Sequence, residues 1–182
     1  MSGLAIPNPS TLAPGNIVTG ALWNAQVRDA VNFLAYPPIF LASASVTTSV
    51  PNRASSSTLT VVTLNTTLVD NYGGFNSANS SYVAPVSGWY YATGVVAYGS
   101  SGVGIRVVAF FKNGQPYNPQ AYGMLPSTNS GWLAQGVQGT QLMYLNQGDY
   151  VDLRTGQDSG GTISTGSYSY LNSQMQIMWI HG

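Results

Sequence analysis

The sequence predicts an all-β domain, a sandwich or a jelly roll, that follows one short helix. Two observations favour this fold. From residue 39 onward, short β-prone runs alternate with turns rich in Gly, Asn, Pro and Ser, a pattern typical of sandwiches and jelly rolls. In addition, 44% of the 182 residues are hydrophobic and 12% are aromatic, which is enough to build a packed core. We therefore divide the chain into an N-terminal arm and helix, residues 1–38, and a β domain, residues 39–182.

A single helix is predicted between Thr19 and Pro37. The Thr19 hydroxyl can accept a hydrogen bond from a free backbone N–H at the helix start, and Pro37 cannot continue the helix. The apolar residues between them recur at helical spacing and form one stripe: Trp23, Val27, Ala30, Val31 and Leu34. A helix of this length is marginal alone in water. Its stripe is therefore expected to pack on its own domain, on copies of the chain, or on another protein of the same assembly.

Two charged residues, Arg28 and Asp29, adjoin each other on this helix. They are prominent because the whole chain has only five cations and five anions. We expect this segment to be an attachment helix, with Arg28 and Asp29 at the contact. The apolar residues expected beside them are Trp23, Val27, Val31 and Leu34.

Seven strands are predicted after the helix from runs of β-branched and aromatic residues. They are Ile39–Ser45, Leu59–Leu64, Trp89–Tyr98, Val103–Lys112, Gly131–Leu145, Tyr150–Arg154 and Met175–Ile180. The Ser/Thr-rich segment Thr47–Thr58 is expected to be a loop. Asn113-Gly114 fits a tight type I′ hairpin turn, because both residues tolerate a positive φ.

Several of these strands are apolar on both faces, whereas a lone sandwich needs only one apolar face per strand. The second face requires a cover. A loop of the same chain could supply it, but an interface between copies is the favoured interpretation, since exposed aromatic and aliphatic faces are typical of interfaces. The residues expected in such an interface or in the core are Trp89, Tyr91, Val108, Phe110, Met178 and Ile180.

The low charge excludes several classes of function. Charged residues make up 5% of the chain, against about 25% in an average protein. Without a basic patch to neutralise phosphates, no nucleic-acid partner is expected. No apolar run approaches the roughly 18 residues of a membrane helix, so no membrane insertion is expected. Residues 1–10 lack a basic stretch followed by an apolar run, and no signal peptide is predicted.

The sequence offers no convincing catalytic or metal site. Cysteine is absent and the single histidine, His181, is one residue from the C-terminus, which argues against a Ser-His-Asp triad or a zinc site. Asp149 and Asp152 have opposite strand parity. Asp149 is expected to cap a turn, and Asp152 is expected to pair with Arg154. We therefore expect no enzymatic activity, no cofactor and no metal.

Two tyrosine-bearing loops, residues 115–130 and 157–170, are the candidates for surface recognition. Their tyrosines are Tyr117, Tyr122, Tyr168 and Tyr170. Tyr, Asn, Gly and Ser form adaptable recognition surfaces, and aromatic faces beside amide groups also suit sugars. The alternative is that these side chains pack within loops or fill an interface.

Four motifs follow one another along the chain: Asn71–Phe75, the Ala-Pro-containing run Tyr82–Tyr91, the strand end and hairpin Phe110–Gly114, and Met143–Leu153 with its Gln-Gly-Asp turn. Taken in order, they resemble the C1q/TNF-like jelly-roll family. The resemblance covers roughly residues 40–180. It implies a ten-strand jelly roll that trimerises through aromatic and aliphatic strand faces. Ala92 departs from the family, which usually has Phe there, and no collagen-like repeat precedes the domain, so complement-type and cytokine functions are not carried over.

Residues 14–29, read as PGNIVTGALWNAQVRD, resemble the opening of small structural proteins of tailed bacteriophages. This resemblance implies a homotrimeric minor tail protein on the virion surface, held by residues 1–38 to other virion structural proteins. Assembly in the bacterial host cytoplasm and contact with a host cell-surface glycan are part of this hypothesis. The alternatives are a capsid decoration or head-fibre protein and a carbohydrate-binding adhesin module.

Overall fold

The computed structural model describes residues 11, 13–53, 59–117, 123–126 and 135–182. Within these residues, two antiparallel seven-stranded sheets form the β domain, and this confirms the predicted all-β sandwich. The strands in chain order are β1 (Ile39–Ser43), β2 (Thr48–Val50), β3 (Thr60–Val61), β4 (Thr66–Asp70), β5 (Phe75–Asn76), β6 (Ser81–Val83), β7 (Gly88–Tyr98), β8 (Ile105–Lys112), β9 (Gln115–Pro116), β10 (Gly123–Pro126), β11 (Gln135–Leu145), β12 (Tyr150–Gln157), β13 (Ile163–Thr165), β14 (Ser167–Tyr168), β15 (Leu171–Asn172) and β16 (Gln174–His181).

The first sheet has the order β2-β13-β7-β16-β1-β4, and β11 also pairs with β7. The second sheet has the order β10-β8-β12-β6-β5, with β3 on β12 and β9 on β8. Strands β14 and β15 form a separate hairpin. The first and last long strands lie side by side, with Ile39 opposite Met178. The start of β1 and the end of β16 therefore meet at one end of the sandwich.

The core lies between the two sheets and is built from the inward residues of each strand, as the period-two alternation of strands requires. Its largest buried apolar members in the strands are Phe40, Tyr82, Tyr90, Tyr98, Met143, Leu145, Leu153, Met175 and Ile177, and they are joined by Phe33 and Leu64 from outside the strands. Asn113 (φ 50°) and Gly114 (φ 78°) form the predicted type I′ turn after β8. The Asn113 side chain secures this turn, since its Oδ1 accepts from the Tyr150 backbone N–H at 2.9 Å.

The long strands lie close to their predicted positions, whereas several short ones were not predicted. The segment expected to be a loop, Thr47–Thr58, contains β2, and β4, β6 and β13 were also missed. These strands have three to five residues, too few to show an alternating pattern, and they are held in place by pairing with longer neighbours. Strand β8 begins at Ile105 instead of Val103, because Gly104 has a positive φ of 81° that interrupts extended backbone.

The N-terminal helix comprises α1 (Gly20–Trp23), a π-helical turn (Asn24–Arg28) and α2 (Asp29–Ala35). Thr19 is its N-cap, with the Leu22 N–H donating to the Thr19 hydroxyl at 3.2 Å. Phe33 is the residue of this helix that is fully buried. Its ring centroid lies 4.8 Å from that of Trp179 and 6.4 Å from that of Tyr72. The helix is therefore tied to the end of the sandwich at which β1 begins.

Candidate functional site

The outer face of the first sheet, which points away from the core, is the candidate functional site. In β7, Tyr90, Ala92 and Val96 point into the core and are fully buried, so Tyr91 and Thr93 point outward. Strands β1, β11 and β16 alternate in the same way beside it. None of these four strands contains an Asp, Glu, Lys or Arg, so their outward side chains include no acidic or strongly basic group.

The half of this face nearest the N-terminal helix is apolar. One row crosses four strands, with Leu142 opposite Tyr91, Tyr91 opposite Met178 and Met178 opposite Ile39. These side chains are 50%, 38%, 42% and 37% exposed, and Ile180 nearby is 48% exposed. We call these five residues the apolar half of the outer face. A contiguous exposed set of large apolar side chains is typical of a protein–protein interface.

The other half of the outer face is polar but uncharged. It forms a shallow depression of about 460 Å³, which is lined by Thr93, Gly94, Val95, Gln138, Gln174 and Gln176. The Gln138 amide donates to the Thr93 hydroxyl at 3.2 Å. Amide and hydroxyl groups in such a depression can bind water, a sugar or the polar rim of another subunit.

An aromatic cluster borders the apolar half. The Trp89 ring packs edge-on against Tyr144 at 5.7 Å and lies 6.5 Å from the His181 ring. The backbone of Tyr144 is held by two side chains: its N–H donates to the Tyr117 hydroxyl at 3.0 Å, and its carbonyl accepts from Lys112 Nζ at 3.0 Å. Tyr117 therefore packs against β11 instead of standing at an exposed loop tip.

The residues expected in the interface or core are divided by the structure. Val108 and Phe110 are 0% and 4% exposed between the sheets, so they belong to the core. Tyr91, Met178 and Ile180 lie on the outer face. The remaining member, Trp89, is half-buried beside them in the aromatic cluster.

For β8, the second face is covered by the protein's own chain and not by an interface between copies, which was the favoured interpretation for the two-faced strands. Ala109 and Phe111 on that face are buried and cluster with Leu59, which belongs to the same chain. The Arg154 guanidinium lies 4.2 Å above the Phe111 ring, and it pairs with the buried carboxylate of Asp152. A segment of the protein's own chain is the cover here, because tertiary folding brings Leu59 onto β12 and β8.

The tyrosines proposed for recognition contact different parts of the fold. The Tyr168 hydroxyl donates to the Ser164 carbonyl at 2.8 Å, and burial raises the pKa of Tyr168. Tyr170, in the turn between β14 and β15, is 59% exposed. Tyr122 lies outside the described residues.

Asp149 serves as a structural acceptor. It accepts from the Asn146 backbone N–H at 2.8 Å, from the Asn113 amide at 2.7 Å, and from Lys112 Nζ at 2.8 Å. Burial acts to raise the pKa of Asp149, but these hydrogen bonds outweigh it and lower the pKa to about 2. Among the described residues, no group of three or more His, Cys, Asp or Glu side chains could hold a metal ion. The helix that the structure describes is too short to cross a bilayer.

A buried polar cluster at the other end of the sandwich was missed from the sequence. Arg106 is 0% exposed, and its guanidinium donates to the carbonyls of Ser101, Val103 and Ile105. It lies 5.6 Å from the Tyr98 ring. Burial lowers the pKa of Arg106 and raises that of Tyr98 to about 12. The only signal in the sequence was one cation within an apolar strand.

No family model matches the chain, but one curated viral protein is similar to it in sequence. An uncharacterised protein, L688, of Acanthamoeba polyphaga mimivirus is 29% identical over 152 residues, which are 81% of this chain. The chain spans 61% of the length of that curated relative.

Two solved structures are similar in fold. The globular domain of zebrafish complement 1qA matches with a TM-score of 0.53 and 16% identity, and murine APRIL matches with a TM-score of 0.54 and 12% identity. Each match covers 79% of this chain and 98% of the other. The β domain therefore has the C1q/TNF-like jelly-roll fold.

Proposed function

We propose that this protein is a homotrimeric structural component of a virus particle, displayed on its surface. The observation that carries the proposal is the uncharged, partly apolar outer face of the first sheet. Domains of this fold commonly form homotrimers, which fits self-association through an exposed strand face. Copies of a surface without charges can approach one another without electrostatic repulsion, and the apolar half supplies the area that favours burial.

The viral assignment has two supports. The similar protein L688 comes from a virus, and residues 14–29 resemble the opening of tailed-bacteriophage structural proteins. In its specific form, the proposal is a minor tail protein that is attached by residues 1–38 to other virion proteins after assembly in the host cytoplasm. A capsid decoration or head-fibre position is the alternative. Labelling purified particles with antibodies against the β domain distinguishes these positions, and particles without label would contradict both.

The trimer is tested by a charge placed on the outer face. Tyr91→Asp is expected to leave the fold intact but to give a monomer, because burying an unpaired carboxylate in an interface is costly. The measurement is molar mass by light scattering together with circular dichroism. Phe110→Asp is the contrasting variant and is expected to abolish folding, since Phe110 lies in the core. A wild-type protein that is monomeric at micromolar concentration contradicts the proposal.

A carbohydrate-binding adhesin module is the second candidate. It is favoured by the depression beside Tyr91, where amide and hydroxyl groups line the surface, and by the exposed Tyr170. Host-surface contact through the tyrosine-bearing loops is the corresponding role on a virion. Binding of the full chain to a glycan array, lost in Gln138→Ala but retained in Tyr170→Ala, would assign sugar binding to the depression. The reverse result would assign it to the loop.

A further inference from the structure

The apolar stripe of the N-terminal helix stays exposed among the described residues. Trp23, Val27, Val31 and Leu34 are 56%, 38%, 58% and 69% exposed. Phe33, which anchors the helix to Trp179, lies about 200° around the helix from Val31, because successive residues are about 100° apart. The stripe is therefore exposed and is not packed on the part of the domain that the structure describes.

We infer that this stripe packs against the same stripe of the other copies, so that the trimer includes a bundle of three N-terminal helices. The inference rests on the proposed homotrimer and deepens it by assigning a second self-association element. It gives the four stripe residues to contacts between copies instead of to the contact expected with other virion proteins. Val31 and Leu34 lie three positions apart in α2, which puts them on one helix face. Trp23 and Val27 precede them in steps of four residues across the π-helical turn.

The charges of the helix fit a copy of the same chain as the partner. Arg28 and Asp29 are the only charged residues of Gly20–Ala35. They pair with each other, with Arg28 Nη2 2.9 Å from Asp29 Oδ1. The helix therefore carries no net charge that repels its copies. Its exposed apolar side chains form a surface that is complementary to itself.

The position of the helix also favours packing against the helices of the other copies. Its last turn is followed by Pro37 and Pro38, and the Pro38 carbonyl accepts from the Trp179 N–H at 3.0 Å. The next residue, Ile39, begins the apolar half of the outer face. The stripe and the apolar half therefore adjoin at one end of the molecule, and association of the outer faces brings the helices of the copies to the same end.

The length of the helix makes the two contacts interdependent. Sixteen residues, Gly20–Ala35, span about 24 Å, which is short for a bundle that must form alone. Association of the β domains raises the local concentration of the helices. The bundle in turn removes the exposed stripe from water.

A single introduced cysteine tests the bundle, because the chain has none of its own. Val31→Cys in the full chain is expected to form an intermolecular disulfide under mild oxidation, since helices packed on this face bring its copies within disulfide range. Asn32→Cys is the matched control. Asn32 is an exposed neighbour that lies 100° around the helix and should not cross-link. The readout is a non-reducing gel, with light scattering on the same samples.

The outcomes separate the two proposals. Cross-linking at residue 31 but not at residue 32 supports the bundle. A trimer in which neither variant cross-links, or both do equally, overturns the bundle and leaves the proposed function intact. A monomeric protein overturns both proposals. Independently, Val31→Asn is expected to weaken the trimer about tenfold or more, because it buries a polar group in place of an apolar one, and an unchanged dissociation constant would contradict the inference.

Discussion

Asp149 joins two turns that are distant in sequence. Its carboxylate oxygens bind the turn before β12 through Asn146 and the hairpin after β8 through Lys112 and Asn113. The side chain of Asp149 is only 15% exposed, so these hydrogen bonds are shielded from water. The five anions of the chain are scarce, and this one is used for tertiary structure.

We expect Asp149→Asn to lower the free energy of unfolding by about 1–2 kcal/mol at pH 7, because charge-assisted hydrogen bonds are lost. The pKa of Asp149 is about 2 in the fold, below its ordinary value of 3.8. The stabilisation is thus full above about pH 4 and disappears as the pH falls toward 2. Urea denaturation at pH 7 and pH 2.5 measures this. The difference in unfolding free energy between wild type and variant should be smaller at pH 2.5 than at pH 7.

The control is Asp29→Asn. Asp29 pairs with Arg28 on an exposed part of the helix, and exposed pairs contribute little. A loss below about 0.5 kcal/mol is expected. If Asp149→Asn were equally mild at pH 7, the carboxylate would not be tying the two turns together.

At the scale of the elements, Phe33 is the side chain through which the helix docks on the β domain. We expect Phe33→Ala to undock the helix without unfolding the sandwich, at a cost of about 3 kcal/mol. Amide hydrogen exchange should then accelerate about 100-fold in the helix and remain slow in β16. Asn32→Ala, an exposed neighbour, should leave the exchange unchanged. Uniform acceleration in helix and strands would show that the two unfold as one unit.

The elements that were predicted correctly had strong local signals. Thr19 and Pro37 bound a periodic segment, and β7, β8 and β16 carry long runs of β-branched and aromatic residues. Strands β2 and β13 have three residues each and pair with one another across more than 100 positions. No local pattern indicates such a pairing, since it depends on where the rest of the fold places the two segments.

The second apolar faces of β7 and β8 show how much of the candidate site could be predicted from the sequence. Both β7 and β8 are apolar on two faces, so the sequence identified a second apolar surface on each. The sequence could not distinguish a second surface that the chain itself covers from one that stays exposed. The cover of β8 is Leu59, which is about 50 residues away in sequence, whereas Tyr91 on β7 stays exposed. Only the tertiary structure separates a face covered by a loop from a face that is free.

For the whole molecule, the absence of charge from β1, β7, β11 and β16 predicts how association responds to salt. An interface formed by the outer face of the first sheet contains no ion pairs from these strands. We expect the trimer dissociation constant to change less than about threefold between 50 mM and 500 mM NaCl. Sedimentation equilibrium at both concentrations measures it. A large weakening at high salt would indicate that charged residues elsewhere, such as Arg28 and Asp29, hold the trimer.

The pairing of β1 with β16, together with the contact of Phe33 with Trp179, places the helix at one end of the sandwich. Strand β7 runs from the helix end at Gly88 to the opposite end at Tyr98, and β8 and β12 pair along the same axis. The connections 99–104 and 158–162 consequently lie at the pole opposite the helix. A chain held by its N-terminal segment presents that pole to the surroundings. Gly161 lies in one of these connections, and a side chain added there would meet no atom within 4 Å. Gly161 is thus a position at the far pole where a side chain can be added without a steric clash, whereas the connection 99–104 is held by Arg106 through the carbonyls of Ser101 and Val103.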